Sequence, residues 1–315
     1  MQRALVVVLL LASAGPAAAQ PAAFEQQSFR DIAYYDGPDA DPVRHRLDVH
    51  VPKGQKDFPV LFFVHGGGWA KGNKDHLGIY TVLARAFNRH GIGVVCPNYR
   101  LSPDVKHPEH IRDVARAFAW TYKNIHKYGG SNDELFVSGH SAGGHLCALL
   151  ATDASYLKAE GLSLKAIKGA MPVSGLFIIP PERVFDVAFG KDPSVRLEAS
   201  PIRHVTGELP PFLVMFGDND LPGCDRPGAE AFCKAMQGKA CRAELCEIPR
   251  RNHLSILWSA LSDTDPVTQS MLSFIMAQVA LDRLGQKDPE AVAAFGDYLA
   301  WYVDFVARHG KTDTK

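Results

Sequence analysis

The chain has 315 residues carrying 34 basic and 34 acidic side chains, so its formal net charge is zero. That balance leaves no global field to recruit nucleic acid or an anionic membrane, and it suits a small, roughly neutral substrate. Hydrophobic residues make up 46%, the level of an ordinary globular protein, and no repeat or low-complexity tract interrupts the chain.

Residues 1–19 read as a targeting segment rather than as part of a packed domain. Arg3 supplies the positive start, Ala4 to Ala12 the apolar stretch, and Ala17-Ala18-Ala19 the small residues a signal peptidase needs. This predicts a signal peptide cleaved after Ala19 and an exported protein, periplasmic or secreted. A membrane anchor is the alternative, but the apolar run is about half the ~20 residues needed to span a bilayer. No later stretch is long and apolar enough to span. Residues 20–315 are then long for one core yet within the reach of a single large α/β domain.

The apolar segments begin with two alternating strands and continue with strands and helices taking turns. That order marks a mostly parallel sheet covered on both faces. Arg46 to Val51 alternates Leu47, Val49 and Val51, as a half-buried strand near a sheet edge does. Pro59 to Val64 and Gly93 to Cys96 are continuous apolar runs, expected of strands buried on both faces. Asp75 to His90 between them reads as a helix. Pro108 opens a longer helix that Gly129-Gly130 ends. A short strand at Glu134 to Val137, a helix from near Ala142, and strands at Ile167 to Val173, Pro211 to Phe216 and Ala243 to Ile248 follow. Helices flank the last of these.

Residues 176–208 lack strong periodicity and hold four prolines, so they read as a small cap or irregular excursion over the active site. Residues 288–308 read as an extra amphipathic helix. It covers the fold or, alternatively, forms a subunit interface of a homo-oligomer.

Four of the six cysteines crowd together, at Cys224, Cys233, Cys241 and Cys246. Cys241 and Cys246 lie an odd number apart on one strand and face opposite sides, which disfavours joining them to each other. An antiparallel helix-strand layout predicts Cys224 with Cys246 and Cys233 with Cys241. No C-x-x-C spacing is present, so a zinc site is not expected. Cys96 and Cys147 sit in apolar patterns and read as inert core residues.

Gly139-His140-Ser141-Ala142-Gly143 lies where a strand turns sharply into a helix, the setting in which G-x-S-x-G becomes a nucleophile elbow. His65-Gly66-Gly67-Gly68-Trp69 follows a buried strand directly. Its unobstructed backbone N–H groups can be aimed at the oxyanion of a tetrahedral intermediate, so Gly67 and Gly68, with Ala142, are the candidate donors. His65 is read as a brace for this loop.

A nucleophilic serine needs a base and an orienting acid, which this order of elements supplies later in the chain. Gly217-Asp218-Asn219-Asp220 follows one strand and Asn252-His253 the last. Asp220 is preferred to Asp218, because the residue after the glycine shapes the turn while one further on reaches the histidine. Of the 13 histidines, His253 alone follows the last strand and precedes a helix; His140, His145 and His204 read as packing or pocket lining. Arg100 is expected to pair with Asp113, with substrate recognition as its alternative role.

HGGGW, NYRLSP, GHSAGGH, GDND and the final NH together resemble the esterase and lipase branch of the α/β hydrolases related to hormone-sensitive lipase. They are more similar still to bacterial esterases and kynurenine-formamidase-like members with an HGGxW loop. The likeness runs from about Arg46 to Gln278; the C-terminal helix and the cysteine cluster depart from the core pattern. The resemblance implies an α/β-hydrolase fold with a mostly parallel sheet of about eight strands and a small cap. It also implies nucleophile Ser141, oxyanion donors Gly67, Gly68 and Ala142, and no metal or organic cofactor. The expected activity is hydrolysis of carboxylic esters of small acyl or aryl groups through Ser141, His253 and Asp220. Hydrolysis of an aryl formamide by the same residues is one alternative; a binding protein of this fold without activity is the other.

Overall fold

A computed structural model describes residues 24–285, with side chains to 282. The leader segment and the helix expected at 288–308 lie outside the described residues.

Eight strands form one sheet: β1 (Gln26–Ala33), β2 (Arg46–Pro52), β3 (Phe58–Val64), β4 (Gly93–Pro97), β5 (Gly130–His140), β6 (Gly169–Val173), β7 (Phe212–Asn219) and β8 (Ala243–Asn252). Their spatial order is β1-β2-β4-β3-β5-β6-β7-β8. β2 runs antiparallel to both β1 and β4, and every pair from β4 onward is parallel. Parallel strands need crossovers. These are supplied by α1 (Ile79–Asn88), α2 (Glu109–Asn124), α3 (Ala142–Thr152), α4 (Ala154–Ala159), α5 (Asp186–Phe189), α6 (Pro193–Glu198) and α7 (Arg226–Gln237); α8 (Ser255–Ser259) and α9 (Pro266–Gly285) follow β8.

Strand period separates two cores. Val60, Phe62 and Val64 of β3 face α2 and α3, whereas Leu61 and Phe63 of the same strand face α1 and α9. Because β3 is covered on both sides, all seven of its residues are buried, which is why its sequence is an unbroken apolar run. The chain crosses from β3 to β4 on one side and then to β5 on the other. The C-terminal ends of β3 and β5 therefore border the crevice where ligands of open α/β sheets bind.

Residues 176–208 run as the short helices α5 and α6 with 3₁₀ turns on either side. The nearly buried Arg196 guanidinium ties them together by donating to the carbonyls of Pro180, Glu182 and Gly190 and to Asp186. The expected disulfides are absent: all six cysteines are buried free thiols. Cys246 lies in the core on one face of the sheet, with Met271 and Ile275, while Cys224, Cys233 and Cys241 lie in the core on the other. The sheet itself thus stands between Cys224 and Cys246. Cys241 turns its thiol to the Thr206 carbonyl at 3.1 Å. Burial pushes the thiols of Cys224 and Cys233 up to about 12 and that of Cys246 up to about 11.

Candidate active site

Ser141 sits between β5 and α3 at φ 57°, ψ −120°, a conformation that L residues adopt only when their surroundings impose it. The two glycines of the motif explain how. A Cβ on Gly139 would lie 2.5 Å from the Gly143 carbonyl oxygen, and one on Gly143 would lie 2.1 Å from that of Val64. Only hydrogen at both positions lets the turn close this tightly, and the turn lifts the serine hydroxyl clear of the sheet.

Three side chains distant in sequence converge there. Asp220 stands beyond β7 and His253 beyond β8, on neighbouring parallel strands whose register brings Asn219 beside Asn252. His253 Nδ1 donates to Asp220 Oδ1 at 2.7 Å, which leaves Nε2 free to accept from the Ser141 hydroxyl at 2.9 Å. Asp220 Oδ2 accepts from the Ser174 hydroxyl at 2.5 Å and from the Gly217 N–H at 3.1 Å, while Oδ1 also takes the Leu221 N–H at 2.8 Å. Burial opposes ionisation of Asp220, but these hydrogen bonds outweigh it and hold the carboxyl below its ordinary value. Asp218 instead accepts from the N–H groups of Arg250 and Arg251, bracing the adjoining loop.

The glycine loop after β3 lies against the elbow, for a Cβ on Gly66 would come within 3.3 Å of Ser141 Cβ. Gly67 and Gly68 have φ of 115° and 61°, so the chain turns back on itself. A Cβ on Gly67 would meet the Lys71 carbonyl oxygen at 2.2 Å. Among the described residues, the N–H groups of Gly67, Gly68 and Ala142 have no partner within the protein. Ala142 is the first residue of α3, so its N–H is an orphan that also carries the positive end of the helix dipole.

His65 braces this loop. It stacks on Tyr99 with centroids 4.4 Å apart, Tyr99 donates to its carbonyl at 3.1 Å, and its Nδ1 lies 2.8 Å from the Gly66 carbonyl oxygen. Burial lowers its pKa to about 4.

Two further histidines are fixed by contacts their sequence neighbourhood does not reveal. His145 accepts from the Trp69 indole at 3.2 Å and donates to the Ala199 carbonyl at 2.7 Å. It thereby links the glycine loop, α3 and the segment after α6, and burial lowers its pKa to about 3. Trp69 in turn packs edge-on against Phe185 and Phe189. His140 donates to the His253 carbonyl at 2.6 Å. His204 stands apart, donating to the Glu198 carbonyl at 2.7 Å. Ser174 and the contact made by His140 were not legible as site features, since their partners are 46 and 113 residues away. Arg100 pairs with Asp113 through two side-chain bonds of 2.8 Å, the expected structural role.

Comparison with known proteins finds esterases by sequence and by structure. The family described as BD-FAE matches residues 47–170. Esterase LipC of Mycobacterium tuberculosis (strain ATCC 25618 / H37Rv) is 37% identical over 213 residues, covering 61% of this chain and 51% of LipC. The isoprenylcysteine alpha-carbonyl methylesterase ICME of Arabidopsis thaliana is 28% identical over 261 residues, covering 74% of this chain and 58% of ICME. The chain thus spans about half the length of the curated relatives it matches. Among solved structures, esterase B of Lactobacillus rhamnosis superposes with a TM-score of 0.70 at 20% identity, covering 91% of this chain and 96% of that one. A carbohydrate esterase from gut microbiota superposes at 0.68 with 21% identity, covering 84% and 99%. At such identities the superpositions speak for the fold. With its eight-stranded, mostly parallel sheet and its strained serine between β5 and α3, the chain has the α/β-hydrolase fold.

Proposed function

We propose that this protein is a serine hydrolase that cleaves carboxylic esters of small acyl or aryl groups, with Ser141 as nucleophile, His253 as base and Asp220 as the acid that orients it. The observation that carries this reading is the unbroken line from Asp220 through His253 to Ser141, at 2.7 and 2.9 Å, ending on a hydroxyl beside N–H groups that have no partner among the described residues. His253 Nε2 takes the hydroxyl proton as Oγ attacks the ester carbonyl carbon, and the carbonyl oxygen becomes an oxyanion facing the N–H groups of Gly67, Gly68 and Ala142. The imidazolium then gives its proton to the departing alcohol, leaving an acyl-enzyme. Water, deprotonated by the same imidazole, releases the acid and restores the serine. Asp220 keeps the proton-bearing Nδ1 turned towards itself and stabilises the charged ring. Every step uses side chains and backbone amides of this chain.

The names of the relatives, esterase, carboxylic ester hydrolase and methylesterase, support an ester as the substrate over an aryl formamide. The test pairs p-nitrophenyl acetate with N-formylkynurenine and adds labelling by a fluorophosphonate probe. Wild-type protein hydrolyses the ester and is labelled once, and the Ser141→Ala variant does neither. Turnover of the formamide alone would overturn the ester assignment, and an unlabelled wild type would overturn serine catalysis. Export follows from the leader read at residues 1–19, and a mature protein beginning at Gln20 is the expected result of N-terminal sequencing after secretion.

A further inference from the structure

Ser141 and the residue before it are consecutive in the chain, yet they hold His253 at opposite ends. Ser141 Oγ meets the ring at Nε2, 2.9 Å away, and His140 Nε2 meets the backbone carbonyl of the same histidine, 2.6 Å away. The two imidazoles also pack against each other, centroids 4.8 Å apart and planes inclined by 46°. His140 is the last residue of β5 and is 4% exposed, so its place is set by the middle of the sheet. His253 lies in the short connection between β8 and α8. The nearest restraints within that connection are local: Asn252 Oδ1 accepts the N–H groups of Leu254 and Ser255. Such a turn shapes the loop but does not tie it to the nucleophile.

We propose that His140 is a positioning residue for the base, clamping the His253 backbone to the elbow so that the distance from imidazole to serine hydroxyl is set by two adjacent residues of one strand end. This rests on the serine-hydrolase reading above. Because the acceptor is a carbonyl oxygen, His140 carries its proton on Nε2. Burial, reinforced by the neighbouring His253, lowers its pKa to about 4, so the ring stays neutral beside a base that becomes cationic in each half-reaction. A neutral donor can hold the base without opposing that charge. The clamp acts on geometry alone: it offers nothing to the substrate, so its loss is felt in the chemical step rather than in binding.

The test compares His140→Gln with His140→Met, side chains of similar length of which only the first carries a donor where the imidazole N–H stands. Both variants and the wild type are assayed on p-nitrophenyl acetate, timed for fluorophosphonate labelling and melted. The methionine variant is expected to lose about a hundredfold in kcat with KM within threefold, and its labelling slows in parallel. The glutamine variant is expected to recover to within about fivefold of wild type. A methionine variant within twofold of wild type in kcat would overturn the proposal, as would a glutamine variant that falls equally far while melting normally. Should the methionine variant not fold, His140→Asn, whose amide stops short of the carbonyl, replaces it with the same expected loss; failure of both to fold would assign the bond to stability and overturn the proposal too. A wild type that does not label overturns the serine-hydrolase reading itself, whereas a labelled wild type beside an undiminished methionine variant overturns only the clamp.

Discussion

Two carboxylate–imidazole pairs sit in this protein, and they differ in what surrounds them. His253 and Asp220 stand 2.7 Å apart beyond β7 and β8, and His45 and Asp113 stand 3.1 Å apart near the start of β2 and α2. Asp113 is fully buried and receives the Arg100 guanidinium through two bonds, the Arg100 N–H at 3.0 Å, and Arg116 at 3.5 Å. Asp220 receives a hydroxyl and two backbone amides besides its histidine; among the described residues no lysine or arginine pairs with it. The far nitrogens differ as well. His45 Nδ1 accepts the Asp41 N–H at 2.8 Å and is closed off, whereas His253 Nε2 faces a strained serine. The same two groups are thus structural where cations cancel the carboxylate, and suited to chemistry where its charge is left to act on the imidazole.

The sharpest way to break this contrast is to neutralise each carboxylate in turn. Asp220→Asn keeps an oxygen for the Ser174 and Gly217 donors, so the fold should hold. Its amide can favour the wrong tautomer of His253, and kcat on p-nitrophenyl acetate is expected to fall on the order of 10⁴-fold. Equal activity would show that the carboxylate does no electrostatic work. Asp113→Asn should do the reverse. It leaves the Arg100 guanidinium, 14% exposed, without its main counter-charge, and denaturant unfolding should show a loss of about 3–5 kcal/mol with kcat reduced less than tenfold. A variant as stable as wild type would mean that the network is ornamental.

Much of this arrangement was legible beforehand, for a common physical reason. Strands buried on both faces announce themselves as apolar runs, and a steric turn such as the one at Ser141 demands glycine at fixed offsets. Asp220 was distinguishable from Asp218 by its distance past the turn, and Asp218 does brace the loop through Arg250 and Arg251. What stayed hidden was set by exposure or by distance. β1 (QQSFRDIA) carries no clean alternation, because its pairing with β2 shifts between Phe29 and Ile32 and most of its side chains are exposed or half-buried. β5 begins at Gly130, well before its apolar part, since paired backbone needs no apolar side chains. The pairing of Cys224 with Cys246 failed on the same parity that had separated Cys241 from Cys246, since Cys224 lies in the core on the other face of the sheet, while Cys241, on the same face as Cys233, turns its thiol to the Thr206 carbonyl instead. Ser174 carries no motif at all; it becomes part of the site only because β6 ends beside β7.

Acid titration separates the two pairs more gently. Burial pushes the Asp113 carboxyl up, yet the Arg100 and His45 interactions bring it down to about 2 from an ordinary 3.8. A carboxyl lowered in the native state contributes stability that is fully present above the unfolded value and is lost as pH falls through the native one. The difference is worth about 2 kcal/mol between pH 5 and pH 2. The wild type should therefore lose stability more steeply than Asp113→Asn across that window, as read by urea unfolding at each pH. Parallel curves for the two proteins would remove Asp113 from the acid response.

Ser174→Ala probes the smallest difference, the one neutral side-chain donor besides His253 that Asp220 has and Asp113 does not. Ser174 is fully buried at the end of β6 with φ 50°, and its hydroxyl stands 2.5 Å from Asp220 Oδ2. Alanine removes one bond to the charged form while His253, Gly217 and Leu221 keep theirs, so the carboxyl must rise from its lowered value. At neutral pH the loss should be about tenfold in kcat with KM unchanged, because the bond supports the imidazolium rather than the substrate. A kcat that falls together with the melting temperature would make the hydroxyl a packing element of the β6 end. A kcat within twofold of wild type would mean that three donors already suffice to hold the charge.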